Sequence, residues 1–156
     1  MATFQTVARK PKMSDGSTEY RVMRSFGEDF CRHASDFAAL YGAANVDNQH
    51  ILFAATEVSP TTLHGYSQLT SLLVARVMEK RRKRHYSHVD AFPRSLTKRA
   101  QVLIGKATSF AARTNRDPTI RDLWVALSQD NTTAVRVIFE RLAVDRTELR
   151  RRVSGA

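Results

Sequence analysis

The sequence predicts an all-α protein, an eight-helix bundle made of two tandem four-helix repeats related by a pseudo-twofold axis. Three observations lead to this fold class. Apolar residues recur at helical spacing, the pattern of the first half returns in the second half, and no segment shows the sustained alternation of a β-strand. Because each repeat is too small to bury its apolar face alone, we expect the two to pack against each other.

Length and charge limit the kind of protein this is. The 156 residues, 42% of them hydrophobic, suffice for one compact domain. No apolar run approaches the roughly 18 residues of a membrane span, and a single cysteine fits a reducing compartment, so we expect a cytoplasmic protein. The formal net charge of +10 predicts attraction to polyanions: nucleic acid, acidic proteins or anionic lipid.

The first half begins with an arm and continues into repeat one. Residues 1–24 mix Pro11, Gly16 and cations without a sustained period, which predicts a mobile N-terminal arm before a domain of residues 25–156. Repeat one covers residues 25–79, and Gly42 ends its first helix. The apolar stripe of that helix is Phe30, Cys31, Ala34, Phe37, Ala38 and Tyr41.

Caps delimit the other helices of repeat one. Asp47 or Asn48 is suited to cap the second helix, and Ser59 followed by Pro60 predicts the start of a short third helix. The fourth helix carries an apolar run from Leu72 to Met78. A basic linker, residues 80–91, follows it.

Repeat two covers residues 92–153. The stripe of the first helix returns 73 residues further on, with Leu103 at the position of Phe30. Thr119 and Asp122 have the spacing of a capping box before the second helix of this repeat. The segment DNTTAVRVIFERL predicts the third helix, and a second box, at residues 145 and 148, opens the fourth.

The second half, from Phe92 to Val153, resembles the repeat of the N-terminal domain of Clp/Hsp100 chaperones, and the whole resemblance covers about residues 26–153. The matching positions in the second half are Leu96, Ala100, Leu103, Ala107, Ala111, Thr119, Leu123, Ala126, Leu127, Ala134, Val135, Leu142, Val144, Asp145 and Leu149. The first half matches more loosely, at Phe30, Ala34, Ala38, Gly42, His50, Ile51, Leu52 and Ala54.

This resemblance implies an eight-helix pseudo-twofold bundle of the kind that receives adaptors and substrates for AAA+ unfoldase rings. The chain has no motor, since the segment around Gly105 and Lys106 lacks the earlier glycine of a P-loop. We therefore expect a stand-alone, non-catalytic protein- or peptide-binding module without a cofactor. It would be an adaptor or a decoy, and its partners would be a Clp-type AAA+ unfoldase, client proteins, adaptors, or an acidic or phosphorylated peptide.

The resemblance also suggests where ligands bind. In the Gram-positive branch of the family the domain reads phosphorylated arginine, and the family's glutamate falls here on Gln49 and Arg121, neither of which is acidic. Arg121 would repel a guanidinium and attract a phosphate or carboxylate, so we expect an acidic ligand there. The predicted surfaces flank the starts of the second helices, where backbone N–H groups are free: Asn48, Gln49, His50, Thr119, Arg121 and Asp122.

Two cationic clusters leave an alternative open. The chain would then be a basic nucleic-acid-associated regulatory protein that uses the same bundle, with salt-sensitive contacts to phosphates. The simpler interpretation of the first cluster is a solvated helix end and linker. The candidate polyanion contacts are Lys80, Arg81, Arg82, Lys83, Arg84, Arg150, Arg151 and Arg152.

Other chemistry is disfavoured by spacing. His85, His88 and Asp90 lie close together, but no second cluster completes a tetrahedral metal site, so we expect no metal. Cys31 and His33, two positions apart on a helix, point about 200° apart and do not form a nucleophile–base pair. We expect no catalytic residues.

Overall fold

The computed structural model describes residues 23–58, 69–79 and 95–154. Over these ranges the chain is helical, with no strand and one isolated bridge between Val46 and Leu96. The predicted all-α class is confirmed. The start of the third helix of repeat one and the whole basic linker lie outside the described residues, as does most of the N-terminal arm.

Three helices of the first half lie within the described residues: α1 (Glu28–Leu40), α2 (Asn48–Val58) and α3 (Ser71–Glu79). The predicted end of α1 at Gly42 is confirmed, because Gly42 has a φ of 75° and the Ala43 N–H donates to the Ala38 carbonyl at 2.9 Å. Met23 is helical and buried, so the core starts two residues before the predicted boundary at residue 25.

The second half contributes four helices: α4 (Lys98–Ala112), α5 (Ile120–Ser128), α6 (Thr133–Arg141) and α7 (Arg146–Val153). The predicted capping box of Thr119 and Asp122 is present at the start of α5. At α7 one half of the predicted box forms. The Asp145 carboxylate accepts from the Glu148 N–H at 3.3 Å, while the Glu148 side chain pairs with Arg151 and Arg152 further along α7.

One continuous apolar core joins the two halves. Helix α1 contacts α2 and α4 contacts α5, and the last helix of each half, α3 or α7, contacts the second. Trp124 is 0% exposed and belongs to this core. The small residues of the stripes, such as Ala34 and Ala107, are fully buried and allow close helix approach.

The halves meet through α2, which contacts α4, α5 and α6. Backbone hydrogen bonds join them directly: the Val46 N–H donates to the Ser95 carbonyl at 2.8 Å, and the Thr97 N–H donates to the Val46 carbonyl at 2.9 Å. The pseudo-twofold axis stays a prediction, since the third helix of repeat one falls outside the described residues. The position of α2 decides which of the two predicted ligand surfaces remains accessible.

Candidate ligand-binding groove

The start of α2 is built into the junction between the two halves. Asp47 precedes the helix, and its N–H donates to Nδ1 of His50 at 2.9 Å. Because His50 accepts this hydrogen bond, it has the helix-start role that its position suggests, and its side chain is 2% exposed. The Asp47 carboxylate accepts from the Thr97 hydroxyl at 2.9 Å and forms an ion pair with Arg99. This cluster fixes the junction by hydrogen bonds between the two halves.

Asn48 and His50 are therefore poorly placed to meet a ligand, contrary to the expectation for this helix start. Asn48 is 1% exposed, and its side-chain amide donates to Oδ1 of Asp130 at 3.0 Å. Of the three residues predicted here, Gln49 alone keeps partial exposure. The start of α2 is buried between the two halves and is therefore not part of the candidate site.

The start of α5 is more open. Asp122 is buried, accepts from the Thr119 N–H at 2.8 Å, and binds both guanidinium nitrogens of Arg116 at 2.7 and 2.8 Å. Burial opposes ionisation of this carboxyl, but the hydrogen bonds from Arg116 and Thr119 outweigh it and hold its pKa below the usual value. Asp122 is thus a charged anchor that orients Arg116.

Arg121 reaches from α5 to the end of α7. Its Nη1 donates to the Val153 carbonyl at 3.0 Å, one of the carbonyls that the end of a helix leaves without a helical partner. This contact holds α5 beside the last turn of α7. It brings Arg121 together with Arg150 and Arg151, which the sequence offered as separate polyanion contacts.

These residues line one open groove of about 600 Å³ between α4, α5 and α7. We call it the arginine groove. Its arginines are Arg113, Arg116, Arg121, Arg150 and Arg151. Partly exposed Phe110 and Val125 give the same groove an apolar part. A volume of this order lies within the range of about 300–1,000 Å³ that is typical of small-ligand sites.

The five arginines are not equally engaged. Arg116 is paired with Asp122, and Arg151 pairs with Glu148, whose pKa falls to about 2 because Arg151 and Arg152 donate to it. In the part of the chain that the structure describes, neither Arg113 nor Arg150 has a carboxylate partner. The groove therefore keeps unneutralised positive charge at its surface.

The remaining predicted cations do not join the groove. Arg152 donates from Nε to Glu148 at 3.1 Å and does not line the cavity. Lys80 to Arg84 lie outside the described residues, as do His85, His88 and Asp90. Of the predicted polyanion contacts, the structure thus places Arg150 and Arg151 with Arg121 and Asp122.

Sequence reasoning missed Phe110, Arg113 and Arg116 as site residues. Phe110 lies 73 residues after Phe37 in the returning apolar stripe, and it packs against the core while also lining the groove. The Arg113 guanidinium lies 5.5 Å from the centre of the Phe110 ring. The sequence does show Arg113 and Arg116 three residues apart before the capping box. This local spacing does not show that residues of α7 line the same groove.

Cys31 is a packing residue. It is 2% exposed, and burial raises the pKa of its thiol to about 11. Such a thiol stays protonated at neutral pH and is a poor nucleophile. Within residues 23–58, 69–79 and 95–154, no cluster of three or more His, Cys, Asp or Glu side chains has metal-binding geometry.

The same ranges contain no helix long and apolar enough to cross a membrane. The chain matches no family model, and a search of curated proteins finds no significant relative.

Proposed function

We propose that the protein is a non-catalytic binding module that takes acidic protein segments in the arginine groove. In this role it acts as an adaptor or a decoy for a Clp-type AAA+ unfoldase–protease. The observation that carries the proposal is the convergence of five arginines on one concave site, with Arg113 and Arg150 left without carboxylate partners among the described residues.

Charge and shape support binding over chemistry at this site. The groove offers guanidinium groups that bind carboxylates or phosphates through paired N–H donors. Among the described residues that line the groove, Asp122 is the one carboxylate and is occupied by Arg116 and Thr119, and none is a cysteine or histidine. Such a site is suited to holding an anion.

The unfoldase part of the proposal rests on the resemblance to the Clp N-terminal repeat. A receiving domain of this kind acts either by delivering a bound protein to an unfoldase or by occupying that protein. Both roles require a ligand surface and no catalytic group. The all-α core and the open start of α5 are compatible with this role.

The nucleic-acid alternative draws on the same cations. Binding dominated by phosphate contacts weakens steeply as salt rises, because it releases condensed counterions. The groove is a short concave site, whereas a duplex offers its charge along an extended surface. We therefore favour an acidic protein segment and use salt and nuclease to separate the two functions.

The test is affinity capture with the full-length chain from a lysate of its own cell, with and without nuclease, at about 50 and about 300 mM salt. Arg150→Glu is compared with Arg136→Glu, which makes the same charge change at an exposed position of α6 outside the groove. We expect wild type and R136E to retain a AAA+ unfoldase or its clients, and R150E to retain severalfold less.

Two results would contradict the proposal. If all captured material disappears with nuclease and moderate salt, the protein's cations bind nucleic acid and the module has no protein partner. If R150E and R136E lose the unfoldase equally, net charge rather than the groove carries the binding.

A further inference from the structure

The arginine groove combines charge with an apolar surface, and this combination restricts its ligand more than charge alone. Phe110 on α4 and Val125 on α5 are both partly exposed and packed against the core. Because they are packed, the apolar part of the groove is preformed. The arginines of α4 and α7 stand beside it.

The position of Arg113 over Phe110 keeps both the positive charge and the apolar surface of the groove available to a ligand. With its guanidinium 5.5 Å from the ring centre, Arg113 is held on the aromatic face while its N–H groups stay available around the plane. Arg150 on α7 lines the same groove, is exposed and has no carboxylate partner in the described chain. A ligand in this groove meets both cations and apolar surface.

We infer that the groove selects a short protein segment in which an apolar side chain is flanked by carboxylates. This inference rests on the proposed function and names its ligand class. Exposed ion pairs are individually weak and are screened by salt, so charge attracts the segment without fixing it. Burial of one apolar side chain at Val125 and Phe110 then raises affinity by about tenfold to a hundredfold.

The size of the site agrees with a short segment. About 600 Å³ holds a few residues of a peptide and is far smaller than a folded domain. A nucleic acid would fill the charged part and leave the apolar part uncovered, except where a base stacked on the single aromatic ring. The expected ligand is therefore a peptide, and an oligonucleotide serves as the control ligand.

The experiment measures fluorescence anisotropy of three labelled peptides with the full-length chain. The first has a leucine between glutamates and aspartates, the second has serine in place of the leucine, and the third keeps the leucine but carries lysines. We expect the first peptide to bind at least about tenfold more tightly than the second, and the third not to bind. A single-stranded oligonucleotide should not displace the first peptide at about 300 mM salt.

Matched variants assign the binding to the groove. Val125→Ala should weaken the leucine peptide severalfold and leave the serine peptide unchanged. Val102→Ala makes the same change at a 61% exposed position of α4 outside the groove and should alter neither. Thr147→Glu places a carboxylate on the groove wall in the first turn of α7, where helix geometry favours an acid, and should weaken both acidic peptides.

The outcomes separate this inference from the proposed function. Equal affinity for the leucine and serine peptides would overturn the apolar selection while leaving an acidic-segment module intact. No binding of either acidic peptide, combined with Arg150-dependent capture of an unfoldase, would overturn the ligand class but not the module. Displacement by the oligonucleotide at moderate salt would overturn both.

Discussion

At the scale of single residues, Ala143 adopts a backbone conformation that alanine disfavours. Ala143 follows α6 with a φ of 55°, in the left-handed region where a side chain is strained. The Val144 N–H donates to the Phe139 carbonyl at 2.9 Å, so Ala143 occupies the position after the helix end that glycine usually takes. Helix-end hydrogen bonds hold the strained alanine in place.

We predict that Ala143→Gly stabilises the protein by about 0.5–1 kcal/mol, because relief of left-handed strain exceeds the entropy that glycine loses on folding. Urea denaturation of both proteins measures the difference. Ala112→Gly, at an exposed position at the end of α4, is the control and should not stabilise. An unchanged or lower midpoint for A143G would show that the backbone there is not strained.

At the scale of elements, the starts of α2 and α5 differ, although each has an aspartate that is paired with an arginine. Asp47 anchors α2 to the second half through Thr97 and Arg99, whereas Asp122 anchors Arg116 within its own half. The first arrangement closes the junction. The second leaves Arg121 exposed beside α7.

The hydrogen bonds of Asp47 make the stability of the fold depend on pH. Burial opposes ionisation of Asp47, but hydrogen bonds from Arg99, the Asn48 N–H and Thr97 lower its pKa below the usual value. The unfolded chain therefore binds the proton more readily, and the stabilisation is present above about pH 4 and lost as pH falls through the lower pKa of the folded state. Neutral conditions keep the cluster intact.

We expect Asp47→Asn to destabilise the protein by about 1–3 kcal/mol at pH 7, because Arg99 and the start of α2 lose a charged acceptor. Its loss of stability between about pH 5 and pH 3 should be smaller than that of wild type. Denaturation midpoints across this pH range provide the measurement. Identical pH profiles would mean that other carboxylates dominate acid unfolding.

At the scale of the whole molecule, the contacts of α2 with α4, α5 and α6 make the halves interdependent. Asn48 contacts Asp130 across the junction, and the Arg146 guanidinium donates to the Asp130 carbonyl, so the connection extends to α7. Within the described ranges, the buried apolar residues of both halves form one cluster. The protein should unfold as a unit.

The single tryptophan gives a direct test. Trp124 reports on the second half, while far-UV circular dichroism reports on all helices. We predict that urea transitions followed by the two signals coincide within error, as expected for a two-state domain. A fluorescence transition displaced from the dichroism transition would show that the halves unfold separately.

The sequence by itself determined the all-α class and most helix limits. These features depend on apolar spacing and on caps such as Gly42 and Thr119, which act within a few residues of the chain. It also identified Arg121 and the arginines of α7 as binding candidates, but as two unrelated groups.

The tertiary structure alone decided which candidates share a surface. Helix packing buried the start of α2 at the junction and placed the last turn of α7 beside α5, where the Val153 carbonyl accepts from Arg121. It also added Phe110, Arg113 and Arg116 to the site. Spacing along one helix specifies which residues share its face, but the neighbour that covers or flanks that face depends on how distant helices pack.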